Sequence, residues 1–296
     1  MLMQLSPGDS FAIASGFFWS FSVILMRMSG MKIPPLPLTV FKSAVAIFGF
    51  LTLLLILRIP LWPEIDYQFH IRLIFSAVLG ISIADTMFAA ALNRLGASLQ
   101  ALADCIYAPT ITLVGFLMFG EGIGPREFIG GGLVASGVFV GMVVTEEVKD
   151  TKTLIAGISL AAGAHIIMAV GILMVRDDLR EGSLIWIAGY RFTVATIALV
   201  IFAMIRGAGK SILIGFHRRD TWKMTIPMAL FGPFLATLFW IAGFKFETVG
   251  RVAIYSQLST VFIIILAWLI LKEKMTKRKL IGVSLAAAGS VLVALQ

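Results

Sequence analysis

The sequence predicts an all-α polytopic membrane protein, with ten transmembrane helices arranged as two inverted-topology repeats of five. Three observations carry that expectation. Of the 296 residues, 59% are hydrophobic and only 14% are Asp, Glu, Lys or Arg, where a soluble domain carries roughly 45–50% and 25%. A soluble surface cannot absorb such an excess, and a mean hydropathy of +0.99 places the chain in lipid. The apolar residues also fall into ten runs of bilayer length, and the last five runs repeat the first five.

A hydrocarbon layer of about 30 Å takes roughly 20 helical residues. On that ruler the spans are about 10–29, 37–57, 71–92, 97–119, 126–144, 153–174, 184–205, 222–243, 250–271 and 279–295. Span 1 follows a start without Lys or Arg and is not trailed by an A-x-A site, so it reads as retained, not as a cleaved signal peptide. Pro34, Pro35, Pro60, Pro63, Gly124, Pro125, Gly207 and Gly209 punctuate the connections. The longest connection, 206–221, is too short to fold alone. Pro109 in span 4 and Pro227 and Pro233 in span 8 each remove a backbone hydrogen bond and predict kinks. Spans 5 and 10 carry small-residue stripes: Gly130, Gly131, Gly132, Gly137 and Gly141, then Gly282, Ala286 and Gly289. These predict close helix packing at the bundle edge or a homodimer seam.

The repetition is explicit. Glu121, Arg126, Gly130, Leu133 and Gly137 meet Glu273, Arg278, Gly282, Leu285 and Gly289 at a constant shift of 152. Residues 40–46 lie over 189–195 at a shift of 149, and 85–88 over 236–239 at 151. The repeats are expected over 1–145 and 150–296. Five is odd, so the second repeat enters the membrane from the opposite side, an arrangement that many secondary transporters build around one midplane site.

The formal charge of +8 does not imply nucleic acid. Fifteen Lys and Arg lie in the connections after odd-numbered spans and seven in the others. The positive-inside rule then puts the odd-numbered loops in the cytoplasm and both termini outside.

Five ionisable groups fall at mid-membrane depth: Lys42, Asp85, Asp104, His165 and Arg191. Charge there is costly and asks for a reason. Lys42 and Arg191 are repeat mates. They read as contacts to a negative substrate group, or as caps on neighbouring helix ends. Asp85 and Asp104 break the repeat, because Ala236 and Ser256 stand at the equivalent positions. Each reads as a substrate or coupling residue, or as a closed pair with Lys42. His165 suits proton coupling, although a lone His in an apolar helix also serves packing. Trp19, Tyr107, Tyr190, Trp240, Tyr255 and Gln257 are placed to shape a cavity.

Metals and cofactors are not expected. Cys105 is the single cysteine, and no second ligand stands three or four residues from His165. Gly207-Ala208-Gly209-Lys210-Ser211 ends like a phosphate-binding loop, but the required first glycine falls on Met204, so ATP is not the expected energy source. No nucleophile–base set points to an enzyme.

Ten spans in two halves, each closed by a Glu followed by a G-x-x-x-x-x-x-G span, resemble the EamA-type transporters of the drug/metabolite transporter superfamily. Lys42 and Arg191 early in spans 2 and 7 fit that likeness, as does the stretch from Ala91 to Ala97 closing span 3. The resemblance covers the whole chain. It implies a multi-pass carrier, in the plasma (inner) membrane, that moves a small polar or amphipathic metabolite such as an amino acid by alternating access, outward as an exporter. Its expected partners are that substrate, the lipid bilayer, and a proton or counter-substrate. On this reading Lys42, Arg191, Asp85, Asp104, Tyr107, Tyr255, Gln257 and Trp19 bind substrate, while His165 and Asp85 couple. The alternative is a flippase for a lipid-linked sugar or phosphate.

Overall fold

The computed structural model describes residues 6–120, 124–142, 150–247, 252, 255–256 and 258–294. The helices in chain order are α1 (Pro7–Gly30), α2 (Pro35–Ile56), α3 (Tyr67–Leu95), α4 (Ala97–Phe119), α5 (Pro125–Met142), α6 (Thr151–Leu173), α7 (Leu184–Ile205), α8 (Arg219–Phe246), α9 (Leu258–Leu271) and α10 (Lys277–Ala294). Seven of them, α1 to α4 and α6 to α8, are long and apolar enough to cross a bilayer. The α5 and α9 helices carry the shorter apolar stretches Phe128–Gly141 and Leu258–Leu271. The observed helices run up to four residues beyond the expected spans at α3 and three at α8. Two of the connections contain helical turns, Arg176–Glu181 and Ile214–His217.

Local chemistry sets the ends. Ser6 and Asp9 form a reciprocal capping box on α1, and Asp150 accepts from the Lys152 and Thr153 amides at the start of α6. Gly96 turns α3 into α4 at a φ of 80°, a conformation that a side chain would strain.

The two halves are inverted, and glycine contacts show it directly. On α5 and α10, a Cβ added to Gly137 would sit 2.5 Å from the Gly282 carbonyl oxygen, and one added to Gly289 would sit 2.5 Å from that of Gly130. Gly130 and Gly282 are repeat mates, as are Gly137 and Gly289. The mate helices therefore cross antiparallel. Helix pairing obeys the same exchange: α1 packs on α8 and α9, as α6 packs on α3 and α4, while α2 meets α7 and α5 meets α10. The small-residue stripes of spans 5 and 10 thus close on each other within one chain.

Two apolar cores form at opposite ends of the bundle. One gathers the ends of α1 and α3 with the starts of α4 and α6, around Ile24, Leu92, Leu99 and Ala161. The other gathers the end of α2 with the starts of α3 and α7, around Phe50, Leu73 and Ile187. Alternate helices thus run in opposite directions, and the polar residues at mid-depth lie between the cores.

The expected proline kinks take specific forms. Pro109 cannot donate to the Cys105 carbonyl. The α4 helix opens into a turn at Cys105 and Ile106, and that carbonyl accepts the Ser290 hydroxyl at 3.0 Å. In α8 a π-bulge spans Leu230–Ala236 around Pro233, and the Met228 carbonyl accepts the Ser22 hydroxyl at 2.8 Å. Helix α3 carries a π-bulge at the equivalent Val78–Ile83 with no proline, so the bulge belongs to the repeat and not to Pro233 alone.

Candidate functional site

A cavity of about 160 Å³ lies at mid-depth, between the two cores. Among the described residues, eight helices line it, all except α5 and α10. It has room for on the order of ten waters, or a small metabolite. All five mid-membrane ionisable residues reach it, together with Trp19 and Tyr107.

The charges are distributed unevenly. Asp85, Asp104 and His165 come from α3, α4 and α6, which pack together. The facing wall, from α1, α8 and α9, carries no charge among the described residues. It presents Ser15, Trp19, Pro233, Trp240, Ser256 and Ser259. Lys42 and Arg191 enter from α2 and α7, between the two walls.

The repeat mates Lys42 and Arg191 have different fates. Lys42 is 1% exposed, and its Nζ lies 2.6 Å from Asp85 Oδ2, the closed pair weighed from the sequence. Arg191 is 4% exposed and, among the described residues, makes no hydrogen bond or ion pair, its Nε being buried without a partner. The cause is visible in the repeat. Where α3 supplies Asp85 to Lys42, α8 supplies Ala236, also on the cavity wall. The nearest charge acting on it is Asp85, which Lys42 already holds, so the buried guanidinium has donors to spare for a second anion. Gly80 gives it room, because a Cβ there would stand 3.0 Å from Arg191 Nη2.

The second pair is Asp104 and His165. His165 Nε2 lies 2.9 Å from Asp104 Oδ1, and Gln100 Nε2 donates to the same oxygen at 2.7 Å. Gln100 was missed in the sequence, although its i,i+4 spacing to Asp104 on one helix was a usable signal. Both contacts fall on Oδ1, which leaves Oδ2 without a partner among the described residues. His165 Nδ1 is likewise buried and unpartnered, as are the Tyr107 hydroxyl and Ser256 Oγ. Unsatisfied polar groups that converge on one cavity are arranged to meet a ligand or water.

Other candidates sit elsewhere. Tyr255 is half-buried beside the core of the α2–α7 end, and its neighbour Ser256 takes the lining position. Tyr190 packs at a tilt against Trp186 and faces His70 at 3.2 Å, outside the cavity lining. Gln257 lies outside the described residues. The lining residues Ser15, Gly16, Phe88, Met168, Thr237 and Ser259 were not singled out, because small and apolar residues at helical spacing look the same in a core.

At the end of the bundle with the odd-numbered loops, the α3–α4 corner is held from both sides. Arg27 of α1 donates to the Leu92 and Asn93 carbonyls at 3.1 and 2.7 Å. Glu273, just past α9, accepts from the Ala97 and Ser98 amides, each at 2.8 Å, and from the Ser98 hydroxyl. A cation on the carbonyl end of one helix and an anion on the amide end of the next both follow the helix dipole. The contacts tie the charged wall to the uncharged one.

The EamA-like transporter family matches the chain twice, over residues 6–143 and 155–295. A solved crystal structure of a protein aligns over 99% of this chain and 99% of its own at a TM-score of 0.72 and 16% identity, a likeness of fold. No curated protein matches the chain.

Proposed function

Because the chain belongs to the EamA-like transporter family of membrane transporters, we propose that it is a secondary carrier that exports a small amphipathic zwitterion, such as an amino acid with an apolar side chain. The observation that carries this reading is the unpartnered, buried Arg191 on the cavity wall. A carboxylate docked there makes two parallel charge-assisted hydrogen bonds and gives the guanidinium the partner that its repeat mate already has. Asp104, with Oδ2 open, suits the ammonium group. Trp19, Phe88 and Trp240 suit the apolar end. Lys42 and Asp85 neutralise each other and hold α2 against α3.

Alternating access follows from the two inverted halves. The Arg27 and Glu273 contacts tie the two walls together at the odd-loop end, and their release would let the walls part on that side. The positive charge on those loops makes that side the cytoplasm.

The test is counterflow in proteoliposomes, with a panel of zwitterionic, purely anionic and purely cationic solutes and, in parallel, a lipid-linked sugar. Exchange of zwitterions that is lost in Arg191→Gln supports the carrier. Translocation of the lipid alone would favour a flippase and overturn it.

A further inference from the structure

Asp104 and His165 form the one acidic–imidazole pair on the cavity wall among the described residues, and each keeps an atom without a protein partner. A carboxylate oxygen can only accept, so His165 presents Nε2–H to Asp104 Oδ1 and a bare lone pair on Nδ1. Gln100 fixes the carboxylate from the other side. A packing histidine would have both ring nitrogens satisfied or one in lipid. Here the second is buried and unpaired, among the described residues, in the wall of a cavity that Asp85, Asp104, Lys42 and Arg191 also line.

The surrounding charges define what a proton does there. From α3, Asp85 pairs with Lys42 of α2 and also attracts Arg191. From α7 comes Arg191. From α4 itself comes Tyr107, whose ring centroid lies 5.8 Å from that of His165, and the Cys105 thiol, which faces Thr260 instead. The described residues of α1, α5, α9 and α10 place no titratable group on this cavity. Lys42 with Asp85 and Arg191 with Asp104 sum to zero while His165 is neutral. A bound zwitterion keeps the sum at zero. A proton on His165 raises it by one, and a proton and an ammonium group together would put two cations against one carboxylate.

Resting on the carrier reading above, we propose that the Asp104–His165 pair is a proton site for which the substrate's ammonium group competes, so that one proton enters for each zwitterion exported. With the cavity open outward, a proton from water forms an N–H bond at His165 Nδ1. The imidazolium then neutralises Asp104 and expels the ammonium group. With the cavity open inward, that N–H bond breaks, the proton passes to water, and Asp104 regains its charge for the next substrate. No electron moves and no other reactant is needed. Competition of this kind is reciprocal: whatever factor the proton takes from substrate affinity, the substrate takes from proton affinity.

The test uses the full chain in proteoliposomes, with L-phenylalanine and L-leucine as probes and the membrane potential clamped at zero. Counterflow at equal pH reads carriage alone. Vesicles about one pH unit more acid inside read coupling, and one-for-one exchange accumulates probe up to about tenfold, a gain that a protonophore abolishes. In His165→Gln, and separately in His165→Asn, the ratio of driven to exchange uptake falls to about one while counterflow persists. Each is checked for a monodisperse fold by gel filtration. Counterflow without accumulation in the native chain refutes proton coupling and leaves the carrier reading standing. Accumulation that survives in His165→Gln refutes the site. Absence of counterflow for both probes refutes the zwitterion reading, and this inference with it.

Discussion

The broken symmetry at Ala236 is the most direct handle on the site. Ala236→Asp restores to the second half the carboxylate that Asp85 gives the first, and offers Arg191 an internal partner on the cavity wall. Two charges about 4 Å apart attract by about 4 kcal/mol at an effective dielectric near 20. Desolvating the new carboxylate takes back part of that, so stability changes little. The substrate's carboxylate, however, loses its unpaired guanidinium and meets a fixed negative charge. A net loss of about 3 kcal/mol corresponds to roughly a hundredfold weaker binding. The assay is equilibrium binding of the zwitterion to purified protein, with Ala236→Asn as a neutral control of similar size. The reasoning requires Asp to weaken binding by roughly a hundredfold and Asn by less than about tenfold. Equal effects of Asp and Asn would reduce the result to steric crowding, and wild-type affinity in Ala236→Asp would remove Arg191 from the site.

Four further outcomes follow from the packing. Asp85→Ala leaves Lys42 buried without a partner and lowers stability by about 3–5 kcal/mol, and the Lys42→Met, Asp85→Ala double variant recovers much of it in a thermal melt. Gly137→Ala drives a methyl group against the Gly282 backbone and costs about 1–3 kcal/mol, while Gly132→Ala, with nothing within 4 Å, leaves the melting temperature unchanged. Ser290→Ala strips the Cys105 carbonyl of its donor for about 1 kcal/mol, and the loss shrinks in a Pro109→Ala background, where α4 supplies its own amide. In a Cys105→Ala chain carrying Ser256→Cys, Glu273→Gln loosens the α3–α4 corner and speeds labelling by a thiol reagent from the odd-loop side. An unchanged labelling rate would separate that contact from access.

Much of the architecture was legible because membrane physics leaves few options. A spanning segment must satisfy its own backbone, so apolar run length reads as helix number, and a nearly constant shift of 149–152 residues reads as duplication. The inversion followed from parity alone, and the Gly130–Gly289 and Gly137–Gly282 contacts show it in space. At the site, Lys42, Asp85, Asp104, His165 and Arg191 stood out because charge in lipid is rare. Which of them would pair did not. The mismatch of Asp85 with Ala236 held the answer for Lys42 and Arg191. The link from Asp104 to His165 crosses from α4 to α6, and no sequence spacing reports it. The π-bulge of α3 was invisible for another reason: its residues, Val78–Ile83, are ordinary helix formers, and only the proline in α8 marks the matching position. Tyr255 was misplaced by one position on its helix, a rotation of about 100° that hydropathy alone does not fix in an apolar span.

The measurement that bears most directly on the account is binding of a matched series to wild-type and Arg191→Gln protein by calorimetry: phenylalanine, its decarboxylated amine, and its deaminated acid. If Arg191 holds the carboxylate, the two acids lose about 3 kcal/mol, roughly a hundredfold, and the amine is unaffected. A loss shared equally by all three, or none at all, would contradict it.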